Sequence, residues 1–425
     1  MKKYVCILLM VTFVFSILAI QSVGAAAEKN IKLTFWGWGP QVDAINNIAG
    51  PAFTEVHPNV TVEAIAMGPW DLMDKFYVSM VSGEGLPDCA QLVRRVMAKY
   101  LISGLLYDFT DFVNIEHKGE FLESSNKDVT SPDGKILAVA YDYAPSVLYY
   151  NKELADDLGI NVDEIVTWDD IYNIGVKVSN ENPDIYVLPL AYPGGSWGTN
   201  FWRFFIQSSG LNIYDDEGKV IRDNKKLKEI NRFYYKLHTD VNVIKTPVND
   251  PAFYDAIREG KLLFLPGNTA RSAEIMQQAP ELKGKIGVIP WPLWSKDAPP
   301  LCGVWGGEGL VVPKKGPNAE MAAEFVKFLS TNEDALINGI WVIAGELPSY
   351  QPLREKIPEM RLETFTTNLI ESVIVREVSP WNFTSDWAQT EKILGDNLDA
   401  MMVGNMTPDE MWDTTEAQLI KMLGR

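Results

Sequence analysis

Between Ile31 and Leu105 the hydrophobic period switches repeatedly between two and 3.6 residues, and nothing else in the chain limits its fold so strongly. Ile31-Lys32-Leu33-Thr34-Phe35-Trp36 alternates apolar with polar, as a half-buried strand does. Gln41 to Val56 follows with helical spacing, interrupted near Gly50-Pro51. Val60 to Ile65 alternates again, Trp70 to Ser82 is an amphipathic helix stopped by Gly83 and Gly85, Asp88 to Val93 is a third strand, and Met97 to Leu105 a third helix. Strands that alternate with helices need crossover connections, so this order implies a mostly parallel sheet wrapped by helices.

The pattern continues less regularly. Lys135–Tyr141 and Ser146–Tyr150 read as strands parted by Asp142-Tyr143-Ala144-Pro145. Thr167 is placed to cap a helix that begins at Trp168. Helices are expected at about 224–238, 251–259 and 270–278, with strands at Leu262–Leu265 and Ile286–Ile289. Val304–Val312 reads as a strand, Glu320–Leu329 as a helix, and the chain from Thr331 onward as helices and turns.

The first 27 residues stand apart. Met1-Lys2-Lys3, an apolar run from Tyr4 to Ile20, and Ala25-Ala26-Ala27 have the form of a secretory signal peptide cut after Ala27. Cys6 lies too far upstream to carry a lipid at that cut. The expected product is periplasmic or extracellular. About 400 residues then remain, too many for one ordinary core, so two lobes are expected. The net charge of −18 argues against nucleic acid and anionic lipid as partners. Beyond the leader only Cys89 and Cys302 remain, which is no disulfide framework; both are expected free and buried.

One segment raises an enzymatic reading. Gly194-Gly195-Ser196-Trp197-Gly198 fits the G-x-S-x-G nucleophile elbow, between a strand-like Tyr186–Leu190 and a helix-like Thr199–Gln207. The triad order needs a histidine after the serine. His238 is the one histidine that follows, and it sits in a charged amphipathic helix where a solvated position is expected. Without a base, Ser196 is an ordinary hydroxyl. No H-E-x-x-H, C-x-x-C or phosphate-binding G-K-[ST] motif is present, so neither a metal nor a cofactor is expected. Paired carboxylates for glycoside hydrolysis cannot be picked out of 56 acidic residues.

What remains is aromatics beside glycines: Trp36-Gly37-Trp38-Gly39 closing the first strand, Trp197 and Trp202 around the elbow-like loop, and Trp305-Gly306-Gly307-Glu308-Gly309. Ligands of open α/β sheets bind beyond the carboxyl ends of the strands. Sugar rings present apolar C–H faces and a hydroxyl rim, which suit aromatic plates edged with polar side chains.

Several segments, in order, resemble the extracellular solute-binding proteins of ABC sugar importers, of the maltose-binding type. They are Phe53-Thr54-Glu55-Val56-His57-Pro58-Asn59-Val60, Ser82-Gly83-Glu84-Gly85-Leu86-Pro87-Asp88, Asp133-Gly134-Lys135 followed by Tyr149-Tyr150-Asn151-Lys152, Thr167-Trp168-Asp169-Asp170, Asp216-Glu217-Gly218-Lys219, and Gly307–Pro313 with Ala322–Ser330. The resemblance implies two doubly wound α/β lobes joined by a hinge, the type II periplasmic-binding architecture. It implies residues 28–142 plus 305–343 in one lobe and 147–300 plus 346–425 in the other, with crossings near 142–146, 301–304 and 343–346.

The same resemblance implies a monomeric binder, not an enzyme, that holds a sugar between the lobes and delivers it to membrane ABC permease subunits. The ligand positions it implies are Trp36 and Trp38; Gln91, Arg94 and Arg95; Tyr141, Asp142 and Tyr143; Trp197, Asn200 and Trp202; Asn268 and Arg271; and Trp305. Ala140 stands where the family often has proline, and Pro266–Arg271 replaces a segment that usually carries an aromatic. An oligosaccharide is the expected ligand. The other readings are a phosphorylated polyol such as glycerol 3-phosphate, and a secreted carbohydrate-active enzyme.

Overall fold

The computed structural model describes residues 29–190, 195–246, 251–304, 307–357 and 376–424. The expected signal peptide lies outside them. Strand β1 (Ile31–Gly37) pairs in parallel with β2 (Val60–Ala66), from Ile31 opposite Val60 to Gly37 opposite Ala66. It also pairs in parallel with β3 (Cys89–Val93). Leu33 and Phe35 face inward with no exposure, as the alternation requires. Asp88 ties this end together: its carboxylate accepts the Thr34 amide at 2.8 Å, the Thr34 hydroxyl at 2.9 Å and the Asn318 amide at 2.9 Å.

Gly50-Pro51 does not break the first helix. The chain is α-helical over Pro40–Ala44, widens to a π turn over Ile45–Ala49, and resumes as α-helix over Gly50–Val56. The proline lacks the N–H that the preceding turn would need, and the wider turn absorbs that loss. The expected helix from Met97 shrinks to a 3₁₀ turn at Arg94–Val96 and one helical turn at Ala98–Leu101, ended by Gly104 at φ +71°.

The first sheet departs from the mostly parallel expectation. Strand β4 (Val139–Ala140) is all that forms of the run from Lys135, and two short strands follow it, β5 (Asp142–Tyr143) and β6 (Ser146–Asn151). Much later β12 (Glu308–Val311) returns and inserts between β3 and β4, antiparallel to both. The order is therefore β2-β1-β3-β12-β4.

The strands between these belong to other sheets. They are β7 (Leu188–Pro189), β8 (Val243–Ile244), β9 (Phe264–Asn268), β10 (Ile286–Pro290) and β11 (Leu301–Cys302). The second sheet, β10-β6-β9, is antiparallel throughout. Every residue of β6 is buried, so its middle, Val147 to Tyr150, shows no alternation of apolar with polar residues. Two more short strands close the list: β13 (Leu347–Pro348) pairs with β5, and β14 (Glu377–Val378) pairs with β11.

Helices Trp168–Glu181 and Pro408–Leu423 begin with full capping boxes, Thr167 with Asp170 and Thr407 with Glu410. Helix Gly195–Ser208 carries Ser196 at its first turn, and residues 191–194 of the elbow-like stretch lie outside the described residues. His238 is not solvated: it is 7% exposed at the end of helix Lys225–Asp240, and burial, then the Lys245 charge, hold its pKa below the usual value. Cys89 and Cys302 are free and buried. No helix among the described residues is long and apolar enough to cross a membrane.

Tryptophan serves packing more than the sequence suggests. Trp168, Trp202, Trp291, Trp341, Trp387 and Trp412 are all under 2% exposed. Trp168 lies 4.4 Å from the Phe205 ring and 5.0 Å from Trp291, the centre of an aromatic core under helix Gly195–Ser208.

Candidate ligand-binding site

Polar groups concentrate where the chain passes between its sheets. Arg94, at the carboxyl end of β3, is 2% exposed. Its Nη1 donates to Asp128 Oδ2 at 3.1 Å and its Nη2 to the Asp142 carbonyl at 3.1 Å. Gly307, at φ +134°, makes room for it: a Cβ there would stand 2.0 Å from Arg94 Nη2. Burial pushes the Asp128 carboxyl up to about 6, against the pull of Arg94 and then Arg203.

Asp142 is fully buried and accepts the Glu308 amide at 2.8 Å. Its carboxylate gathers with those of Glu308 and Glu346, with oxygens within 4.8 Å of one another. The Gln41 amide donates to Glu346. All three carboxyl groups are raised in pKa, first by burial. For Glu308 and Glu346 the Asp142 charge comes next.

A second group faces this one. Arg203, with no exposure, donates to Asn200 Oδ1 at 2.9 Å, Gln207 Oε1 at 3.1 Å and the Val304 carbonyl at 2.8 Å. Burial, then the Arg95 charge, lowers its pKa to about 9. Its guanidinium lies 5.7 Å from the Trp381 ring and 5.5 Å from Phe383. Arg95 reaches Glu391 at 3.9 Å and lies 5.1 Å from the Trp70 ring. A cavity of about 410 Å³ opens here, lined among others by Arg94, Lys127, Asp128, Asp216, Trp381 and Phe383. A larger hollow, of about 700 Å³, is lined only by residues 101–137, Lys314 and Glu320, with none of the aromatic group.

The expected ligand residues scatter around this centre. Arg94, Tyr141 and Asp142 meet at the carboxylates, and Gln91 lies buried beside Gly37. Trp36 is 6% exposed with Lys75 Nζ 4.4 Å over its ring, and Trp38 is partly buried against the main core. Tyr143 belongs to a second core cluster with Val304 and Leu347. Asn200 supports Arg203. Trp202 turns away: it has no exposure, and its Nε1 donates to Asn231 Oδ1 at 2.7 Å, inside a helix-packed core. Asn268 Oδ1 accepts the Arg271 amide at 3.1 Å, and Arg271 pairs with Glu274. The Trp197 side chain and Trp305 lie outside the described residues.

The sequence reading passed over Gln41, Asp128, Arg203, Glu308, Glu346, Trp381 and Glu391. Glu308 had a signal, since it sits in the glycine-rich run after Trp305. Glu346 and Glu391 had none, being acids among many.

The charged and aromatic side chains of this α/β chain converge between its sheets. The chain belongs to the bacterial extracellular solute-binding proteins; the model of that family matches residues 38–336. It is 24% identical over 450 residues to the arabinooligosaccharide-binding protein of Bacillus subtilis, covering 98% of this chain and 99% of that one. It is 25% identical over 328 residues to the sn-glycerol-3-phosphate-binding periplasmic protein UgpB of Shigella flexneri, 69% of each chain.

Among solved structures, the galacto-N-biose-/lacto-N-biose I-binding protein of the ABC transporter from Bifidobacterium longum, in complex with lacto-N-biose, superposes with a TM-score of 0.77 at 19% identity, over 93% of this chain and 99% of that one. The maltose-bound MalE3 of T. maritima gives 0.73 at 21%, over 92% and 100%. These likenesses show the fold: two α/β lobes of the type II binding-protein kind.

Proposed function

We propose that the chain captures an oligosaccharide between its two lobes and delivers it to membrane ABC permease subunits, acting as a monomer without breaking a bond. The full-length match to an arabinooligosaccharide-binding relative carries this reading. Residues 28–142 with 305–343 form one lobe and 147–300 with 346–425 the other, with crossings near 142–146, 301–304 and 343–346. Ser349–Gln351, on that division in the second lobe, also hydrogen-bond to Glu120 and Leu122 of the first. The signal peptide exports the protein to the periplasm or beyond and is removed after Ala27.

The ligand site is the Arg94–Asp128–Trp381 cavity. Supporting it, Trp381 is 3% exposed and its Nε1 has no acceptor among the described residues, so it offers a ring face and a donor together. Ring faces at Trp381 and Phe383 suit the C–H faces of a sugar, and Asp128, Asp216, Lys127 and Arg94 suit its hydroxyl rim.

Intrinsic fluorescence of the mature protein, titrated with arabino-oligosaccharides, lacto-N-biose and glycerol 3-phosphate, tests the proposal. Saturation by a neutral oligosaccharide that is recovered intact, weakened at least tenfold in Trp381→Ala, is expected. Saturation by glycerol 3-phosphate alone, or recovery of shortened sugars, overturns it.

A further inference from the structure

We propose that Asp142, Glu308 and Glu346 form a binding site for a hard divalent cation, Ca²⁺, at the place where three separate passes of the chain meet. Asp142 is in β5, Glu308 opens β12, and Glu346 follows the left-handed Gly345 and immediately precedes β13. Pairing of β5 with β13 and the bond from the Glu308 amide to Asp142 hold these passes together. Ca²⁺ takes oxygen ligands at about 2.3–2.6 Å, so ligands on opposite sides of it stand about 4.6–5.2 Å apart. The three carboxylates present oxygens within 4.8 Å of one another, which matches that sphere.

Neighbouring oxygens point to the same kind of ligand. Gln41 is 3% exposed; its Nε2 is spent on Glu346, and its Oε1, on the same amide head, has no donor among the described residues. The Tyr141 hydroxyl is buried, lacks a hydrogen-bond partner among the described residues, and feels the charges of Asp142, Glu346 and Glu308. Among the described residues Asp142 Oδ2 has no amide or hydroxyl donor, and the Glu308 and Glu346 carboxyl groups hydrogen-bond to the Asp142 side chain. Buried acceptors left without donors are costly, and a cation satisfies several at once. Arg94 supplies positive charge nearby, but its Nη2 bonds to the Asp142 carbonyl and its Nη1 is committed to Asp128. Three carboxylates are an all-oxygen set, which selects Ca²⁺ over Zn²⁺ or Cu²⁺. Mg²⁺ demands a tighter octahedron and sheds water reluctantly, so it is expected to bind more weakly.

The test is calorimetric titration of CaCl₂ into the mature protein, stripped with chelator and free of sugar, at pH 7.5. Expected is one saturable site with Kd on the order of 10⁻⁴–10⁻³ M, the range of extracellular calcium modules. Glu308→Gln and Glu346→Gln should each weaken it at least tenfold, with circular dichroism confirming that each variant is folded. No saturable heat from the wild-type protein up to several times that range overturns the proposal, as does binding that survives both substitutions. Because the titration contains no sugar, its result is independent of whether the sugar reading holds.

Discussion

Replacing Arg94 by methionine removes one guanidinium from a buried pair and leaves a carboxylate behind. Asp128 has a side chain 13% exposed, and its pKa is already raised from 3.8 to about 6 with Arg94 in place. At about 1.4 kcal/mol per unit, that shift of about two units means the ionised form costs the fold ~3 kcal/mol. The sign follows from the raised folded pKa. The folded chain binds the Asp128 proton more tightly than the unfolded chain, so this group's contribution is greatest below pH 3.8 and is lost as pH rises through about 6.

Without Arg94 the carboxylate is buried and unpaired, a loss of about 3–5 kcal/mol. That loss is felt at pH 8, where Asp128 must either ionise unpaired or hold a proton against the solvent pH. At pH 5 it is mostly protonated, and the deficit should shrink to about 1.5–3 kcal/mol, the worth of the guanidinium's hydrogen bond to the Asp142 carbonyl. Methionine keeps the apolar stem, which limits the packing change. Urea unfolding at pH 5 and pH 8 reads the difference. Adding Asp128→Asn removes the stranded charge, so the double variant should recover most of the pH 8 loss and its excess pH dependence. Equal deficits at both pH values, or no recovery in the double variant, would refute the reasoning.

Trp202→Phe strands Asn231 Oδ1 in the core and should lower stability by about 1–3 kcal/mol in urea melts, while ligand affinity changes less than twofold; a large affinity loss with unchanged stability would return Trp202 to the site. Burial pushes the Cys302 thiol up to about 12 and raises Cys89 well above its usual value. Neither should react with Ellman's reagent at pH 8 in the folded mature protein, and both should react in guanidinium; rapid labelling of the native protein would contradict the packing.

The parts of the fold that local pattern dictates were readable. Alternation marked β1 and β2, a glycine at φ +76° stops the helix ending at Ser82, and Thr167 caps its helix as its spacing requires. What depended on distant pairing was not. Nothing near Glu308 announces that its strand will enter the first sheet antiparallel, because that outcome is set by residues about 170 to 220 positions earlier. The same limit hid the site. Arg94 and Asp142 are positions that the family resemblance implies as ligand-binding, but their partners Asp128, Glu308, Glu346 and Arg203 converge only after folding. Tryptophan misled for a different reason: a large ring serves a core or a ligand surface equally well, and Trp202 is in the core. His238 shows the weakness of a charged helix as a sign of exposure, since one face of such a helix is buried.

The late entry of β12 bears on how the chain is made. Strand β4 is complete at residue 140, yet among the described residues its one sheet partner is β12, at 308–311. While the intervening residues are being synthesised, β3 and β4 present unpaired edges. The first sheet therefore cannot close on a growing chain until 311 of 425 residues exist. A truncation that stops after β11 is expected to aggregate rather than yield a half-sized domain. The same delay keeps the first sheet open through most of synthesis, which favours a chain that is to be threaded across a membrane before that lobe folds.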